Sequence, residues 1–446
     1  MRKILIAGTM SGSGKTTVSS VLMSAFENTA PFKVGPDYID PGYHEIFTGN
    51  KSYNLDAFMY NEETLKFIFS SNSSGKNISI IEGVMGLYDG LGHSKENFST
   101  AHISKILDVP VILVVNAKGI STSIAAEILG FKLFDKDVNI AGVILNNVSS
   151  EKLYLNLKEA VEMYTGIECL GYLPKNDEIG IESRHLGLKQ AFELEGIAEK
   201  KEILKKTAEK YLNLERIYEI SNSAGREEKI LENPAVKLRN KLNGKKIAIA
   251  KDKAFSFYYQ SNLDLLRYSG LEIVEFSPVN DKEIPSGVDY IYIGGGYPEL
   301  YTKELSENRS MKKSILEAHK NDVPIYAECG GFIYLTNGLK TLDGKFSEFC
   351  GIFDIKISMK EKLNIGRFGY INIDVRTGIR TKGHEFHYSE ISYNNEEESF
   401  FTIWKNDGRS WECGYRKNYT LAGYPHIGFY SNLEFFEFLF DIFKEN

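Results

Sequence analysis

The chain is poor in cysteine, with four in 446 residues: Cys169, Cys329, Cys350 and Cys413. None has a close partner in sequence, so no zinc-site spacing exists, and a disulfide scaffold is excluded in a chain this long and thiol-poor. A basic excess is also missing. Lys and Arg number 53 against 60 Asp and Glu, a net charge of −7. That excludes a broad nucleic-acid-binding face, and any polyanion must be met by a local basic cluster or a divalent cation. No apolar run reaches the roughly 20 residues needed to cross a bilayer. The first apolar run starts within a few residues of Met1, which leaves no room for a leader peptide and makes the cytoplasm the expected compartment. Internal repeats and low-complexity segments are absent as well.

What is present is an ordinary globular composition, 42% hydrophobic and 25% charged, in a chain long enough for two or three domains. The strongest local pattern opens it. Ile4-Leu5-Ile6-Ala7 reads as a buried strand and breaks into Gly8-Thr9-Met10-Ser11-Gly12-Ser13-Gly14-Lys15-Thr16-Thr17. A glycine-rich turn entering a helix points backbone N–H groups into one concavity, which stabilises a polyphosphate. Gly12, Ser13, Gly14, Lys15, Thr16 and Thr17 are the expected nucleotide-binding residues, with Lys15 reaching the β- and γ-phosphates and the Thr16 hydroxyl meeting Mg2+. The strict pattern has Gly where this chain has Thr9. The bland alternative is a strand-to-helix turn with no ligand.

Apolar runs at 3–7, 78–81, 111–115 and 140–145 alternate with helical stretches such as 15–26 and 121–134. This predicts a doubly wound parallel α/β sheet, whose ligands sit at the carboxyl ends of the strands. Residues 1–190 are read as that domain. Residues 191–243, rich in Lys and Glu, carry Ile203, Leu204, Ala208, Tyr211, Leu212 and Leu214 at helical spacing and read as a helical connector. With a new strand starting at Lys246, a second α/β unit is expected over 244–446, with strands near 246–250, 289–293 and 323–327 and a partly antiparallel stretch over 341–420.

Two segments supply acids for the phosphate half. In Lys33-Val34-Gly35-Pro36-Asp37-Tyr38-Ile39-Asp40-Pro41 a stiff loop carries Asp37 and Asp40. In Ile80-Ile81-Glu82-Gly83-Val84-Met85-Gly86-Leu87-Tyr88-Asp89-Gly90 a buried strand ends in Glu82, where a metal-binding acid belongs. Turn chemistry alone could account for the aspartates, and a cap or turn role for Glu82. Asn116, Asn146 and Asn147 also end strands and are weak candidates for reading an adenine edge. Arg184 and His185 are candidates for an acidic substrate or for an ordinary surface pair.

The nitrogen half centres on one thiol. Val323-Pro324-Ile325-Tyr326-Ala327-Glu328-Cys329-Gly330-Gly331-Phe332 has the layout of a nucleophile elbow, with a helix start behind the sulfur that is expected to favour the thiolate. Gly294-Gly295-Gly296, after the strand Tyr290-Ile291-Tyr292-Ile293, could complete an oxyanion hole from Gly295, Gly296 and Gly330. His426 is the expected base. The alternatives are a buried inert thiol and a core histidine. His384 and His387, in Gly383-His384-Glu385-Phe386-His387, compete for the base role, but a structural or interdomain role is preferred.

These strings resemble the cobyrinic acid a,c-diamide synthase family over nearly the whole chain and in order. The N-terminal part is similar to dethiobiotin synthetase, which also has Thr at the place of Thr9. The C-terminal part resembles a class I glutamine amidotransferase. The resemblance implies ATP- and glutamine-dependent amidation of the a- and c-acetates of a corrin ring. Carried over, Lys15 and Thr16 serve ATP and Mg2+, with Glu82 and Asp37 in the metal shell. Asp40 and Asp89 act at the activated carboxylate, and Asp37, Tyr38 and Ile39 bind substrate. Cys329 is the glutaminase nucleophile and His426 its activator. Class I relatives often carry Glu two residues after the histidine; Gly428 stands there, so a Cys–His dyad is expected. The implied partners are a corrinoid or related tetrapyrrole, ATP and glutamine, with no nucleic acid or membrane; a homodimer stays open. Two other readings also stay open: a nickel-sirohydrochlorin a,c-diamide synthase with the same chemistry, and a nucleotide switch of the partition-ATPase type.

Overall fold

The computed structural model describes residues 1–176, 178–180, 183–184, 187–188, 196–222, 230–363 and 366–441. His185 lies outside them, and Arg184 forms part of a two-residue strand. The chain divides into two compact units, Met1–Pro234 and Ala235–Asn446.

The first unit is built on seven strands: β1 (Lys3–Gly8), β2 (Thr29–Val34), β3 (Tyr53–Leu55), β4 (Ile78–Glu82), β5 (Val111–Asn116), β6 (Ile140–Val148) and β7 (Cys169–Pro174). They lie in the order β3-β2-β4-β1-β5-β6-β7, and every pair is parallel. A fully parallel sheet is covered on both faces, so most of its strands are largely apolar. Between them run α1 (Lys15–Ala25), α2 (Asp40–Thr48), α3 (Glu62–Ser73), α4 (Thr100–Ile106), α5 (Ser123–Phe134) and α6 (Glu151–Thr165). β1 sits between β4 and β5, so the loops after these three strands open at one edge, where such sheets bind ligands. The segment read as a connector contains α7 (Ile197–Tyr211) and α8 (Leu214–Ser221). Leu204, Ala208, Ile217 and Ile220 share one core cluster with Val18, Val21 and Leu22 of α1.

The second unit has a six-stranded sheet ordered Glu272–Phe276, Lys246–Ala250, Tyr290–Ile293, Ile325–Glu328, Thr420–Gly423, Tyr415–Lys417. All neighbours are parallel except the last pair. Residues 336–427 build two further, mostly antiparallel sheets. One pairs Gly383-His384 with His426-Ile427 and so brings the late histidine back toward the parallel sheet.

Candidate active sites

The first site is the turn from β1 into α1. Gly12 and Gly14 have φ of 77° and 102°, a region open to glycine at little cost. A Cβ on Gly14 would lie 1.9 Å from Asn146 Nδ2, and that amide donates to the Ser13 carbonyl at 2.9 Å. Asn146 therefore buttresses the turn. Asn116 and Asn147 bond to each other at 3.1 Å. Thr9 is not among the residues with positive φ, which explains how a side chain is accommodated where the strict pattern has glycine. Gly14 caps α1 without a side-chain acceptor, so the cap itself satisfies none of the first-turn N–H groups through a side chain. The Ser13 hydroxyl is buried and lacks a hydrogen-bond partner among the described residues. Lys15 Nζ donates to the Met10 carbonyl at 3.3 Å. Burial, reinforced by the charge of Lys33, pulls its pKa down to about 8. Thr16 and Thr17 follow, half-buried, in the first turn of α1.

Beside the turn lies a buried charge cluster. Glu82, fully buried at the end of β4, accepts from the Thr16 hydroxyl at 2.7 Å and from Lys33 Nζ at 3.0 Å. Its other oxygen is 2.8 Å from His44 Nε2, and His44 Nδ1 is 3.0 Å from the Ser52 hydroxyl. Lys33 Nζ also reaches Asp40 at 2.6 Å and the Gly83 carbonyl at 3.0 Å. Burial alone would push the Glu82 carboxyl up; the Lys33 charge and the bonds from His44 and Thr16 outweigh it and hold Glu82 well below the usual carboxylate range. Burial opposes the Lys33 charge, but Asp40 and Glu82 keep it an ammonium. The structure thus gathers Thr16, Glu82 and Asp40, and adds Lys33 and His44, to which the sequence reading gives no role.

Asp37 takes a turn position: its Oδ1 accepts from the backbone N–H groups of Ile39 at 2.7 Å and Asp40 at 3.0 Å, opening α2. Tyr38 and Ile39 lie half-buried in that turn, and Asn54 ties its carbonyls at Gly35 and Asp37. Asp89 is exposed, and its carboxylate accepts from the Gly86 N–H at 2.9 Å, closing the loop after β4. It stays near enough to Lys15 to act on its charge.

The second site is the turn after the strand Ile325–Glu328. Cys329 has φ 45° and ψ −101°, a strained conformation for a residue with a Cβ, and caps the helix Gly330–Leu335. Close approach requires the glycine at 331, where a Cβ would lie 2.1 Å from the Ile293 carbonyl oxygen, and makes a Cβ on Gly330 tight, 3.0 Å from the Gly296 nitrogen. A Cβ on Gly295 would meet His426 Cε1 at 2.3 Å. The Gly295-Gly296 strand therefore abuts both the elbow and the imidazole. Gly295 and Gly296 pair with Phe257 and Phe255. The Cys329 N–H is used by the Gly423 carbonyl at 2.8 Å, and the Gly330 N–H faces the sulfur.

One expectation is corrected here, that the helix start favours the thiolate. Instead burial, and then the charges of Glu299 and Glu385, push the Cys329 thiol up. The sulfur sits on a one-and-a-half-turn helix, and its desolvation outweighs that helix's field. His426 is 1% exposed, and burial pushes its pKa down, aided by His384 and His387. Both shifts favour the uncharged forms, a neutral Cys329 thiol and a neutral His426 imidazole. His384 stacks on His426 with ring centroids 4.9 Å apart, and its Nδ1 lies 2.9 Å from the Tyr259 hydroxyl. His387 stacks on Tyr424 at 3.8 Å and approaches Glu385 at 3.3 Å.

Residues 4–188 match the family described as CobQ/CobB/MinD/ParA nucleotide binding domain, and residues 246–433 the CobB/CobQ-like glutamine amidotransferase domain. A protein of Fusobacterium nucleatum named cobyrinate a,c-diamide synthase is 49% identical over 447 residues, covering 99% of this chain and 100% of the relative. Proteins of the same name from Listeria innocua and Caldanaerobacter subterraneus are 44% and 42% identical, with 97% of this chain covered in each case and 97% and 96% of the relatives. With both of its halves matched in order and relatives aligned end to end, this chain belongs to the cobyrinate a,c-diamide synthase family.

Proposed function

We propose that the chain amidates the a- and c-acetate carboxylates of cobyrinate, using ATP to activate each carboxylate and glutamine as the nitrogen source. What carries the reading is the presence on one chain of a glycine-wound phosphate turn beside a buried acid cluster and of a strained, buried thiol elbow.

In the first unit the γ-phosphoryl group of ATP passes to an acetate oxygen, giving an acyl phosphate. Lys15 and the first-turn N–H groups of α1 balance the phosphate charge. Thr16 and Glu82 present hard oxygens 2.7 Å apart at the turn, which fits Mg2+. The ion would neutralise charge on the β- and γ-phosphates. Asp37 offers it one further oxygen, since its Oδ1 already serves the turn. Asp40 and Asp89 flank the activated carboxylate, and Tyr38 and Ile39 shape the substrate's approach.

In the second unit His426 takes the Cys329 proton as sulfur bonds to the glutamine side-chain carbonyl carbon. The tetrahedral oxyanion meets N–H groups of Gly295, Gly296 and Gly330. Cleavage of the C–N bond, with return of the proton from His426, releases ammonia and leaves a thioester that water hydrolyses to glutamate. Ammonia displaces phosphate from the acyl phosphate. No helix among the described residues is long and apolar enough to cross a membrane, and a cytoplasmic location suits these substrates. The test is product mass: cobyrinate should exchange two OH groups for NH2 with ATP and glutamine. Failure on cobyrinate with turnover of nickel-sirohydrochlorin would move the substrate to that macrocycle.

A further inference from the structure

One buried acid next to the thiol has no part in the chemistry above. Glu328 ends the strand Ile325–Glu328 and is 1% exposed. Its Oε1 accepts from the Tyr326 hydroxyl at 2.9 Å and from the Ile427 backbone N–H at 3.1 Å. Its Oε2 accepts from the Tyr292 hydroxyl at 2.9 Å and lies 3.9 Å from His426 Nδ1. Ile427 directly follows His426. One oxygen therefore holds the strand that carries the base, while the other faces the base itself. Gly428, two residues after the histidine, has no side chain that could orient the ring.

A carboxylate facing Nδ1 favours the tautomer protonated there, keeps the lone pair on Nε2 as the proton acceptor, and stabilises the imidazolium that then forms. The 3.9 Å separation exceeds a hydrogen bond, but such contacts commonly tighten only when substrate is bound. We propose that Glu328 is the positioning acid of the glutamine-cleaving site, holding His426 in the Nδ1–H tautomer so that Nε2 takes the Cys329 proton. The inference rests on the assignment of Cys329 and His426 above.

The surrounding groups give it a readout. Glu328 is faced by Tyr292, Tyr326, Tyr258 and Cys329, all pushed up chiefly by burial. His426 is faced by His387 and by His384, which burial pulls down to about 3. Burial, partly offset by the Ile427 N–H and the two hydroxyls, lifts Glu328 to about 7. Glu299 and Glu385 also act on the thiol, and burial lifts Glu299 to about 7.

The experiment is glutamate release, kcat/KM for glutamine against pH, on the full chain. The wild type should gain activity as pH rises through about 7, where Glu328 ionises. Glu328→Gln should lose that limb and fall about 100-fold on the plateau, and Glu328→Asp should regain part of both. Tyr292→Phe keeps the carboxylate but removes a donor from Oε2, so the limb should move up by about one pH unit. A limb that survives in Glu328→Gln, or that vanishes instead in Glu299→Gln, overturns the assignment. If Glu328→Gln does not fold, an unmoved limb in Tyr292→Phe overturns it. Cys329→Ser separates the two failures. Glutamate release that survives it refutes the thiol assignment, whereas a dead Cys329→Ser beside an unaltered Glu328→Gln refutes only the role of Glu328.

Discussion

Lys33 sets the electrostatics of the phosphate site, because its Nζ bridges Asp40 and Glu82 with the three side chains 3%, 8% and 0% exposed. Removing one partner of a buried ion pair costs about 3–5 kcal/mol, since the remaining charges stay desolvated. Lys33→Met should lower unfolding stability by about that amount in a urea titration. It should also abolish ATP-dependent amidation from glutamine and from ammonia alike. Lys15 gives a pH prediction. Its pKa is pulled down to about 8, so the free protein carries the ammonium below that pH and loses it above. Affinity for a non-hydrolysable ATP analogue should therefore weaken between pH 8 and 9.5, by calorimetry, while Lys15→Arg stays level because guanidinium keeps its charge. The glycines of the turn are legible in the sequence because their chemistry is local to a few residues. Lys33 and His44 are not, because their common partner Glu82 lies 49 and 38 residues away. The Cys329 thiol misleads for a related reason: burial depends on the whole unit, and no local pattern reports it.

At the scale of elements, strands with mainly apolar runs declare themselves, β1, β4, β5 and β6 among them. β2 does not, since Pro31 and Lys33 interrupt its run although it lies inside the sheet between β3 and β4. Its lysine is tolerated there because two carboxylates meet it. The helices α7 and α8 show a different limit. Their apolar spacing is plain, but which surface they cover depends on packing against α1, almost two hundred residues earlier. Leu204 is fully buried in that contact. Leu204→Ala should destabilise the first unit by about 2–5 kcal/mol, read as a lower midpoint in denaturant. A segment acting only as a tether would show almost no change.

On the scale of the whole molecule, the proposed reaction divides between two α/β units. Each places its reactive groups where a parallel strand ends and a helix begins: Lys15 and Thr16 after β1, Cys329 after Ile325–Glu328. This recurrence makes the architecture readable, because both turns need glycine at fixed places and strands with apolar runs before them. In the proposed reaction the first unit activates the carboxylate and the second only supplies nitrogen. The most direct measurement is the mass of the tetrapyrrole product formed by Cys329→Ser with ATP, given glutamine in one reaction and ammonium in the other. The expected result is no amidation from glutamine and two amidations per molecule from ammonium. Amidation from glutamine without the thiol, or none from ammonium when the wild type accepts it, would contradict it.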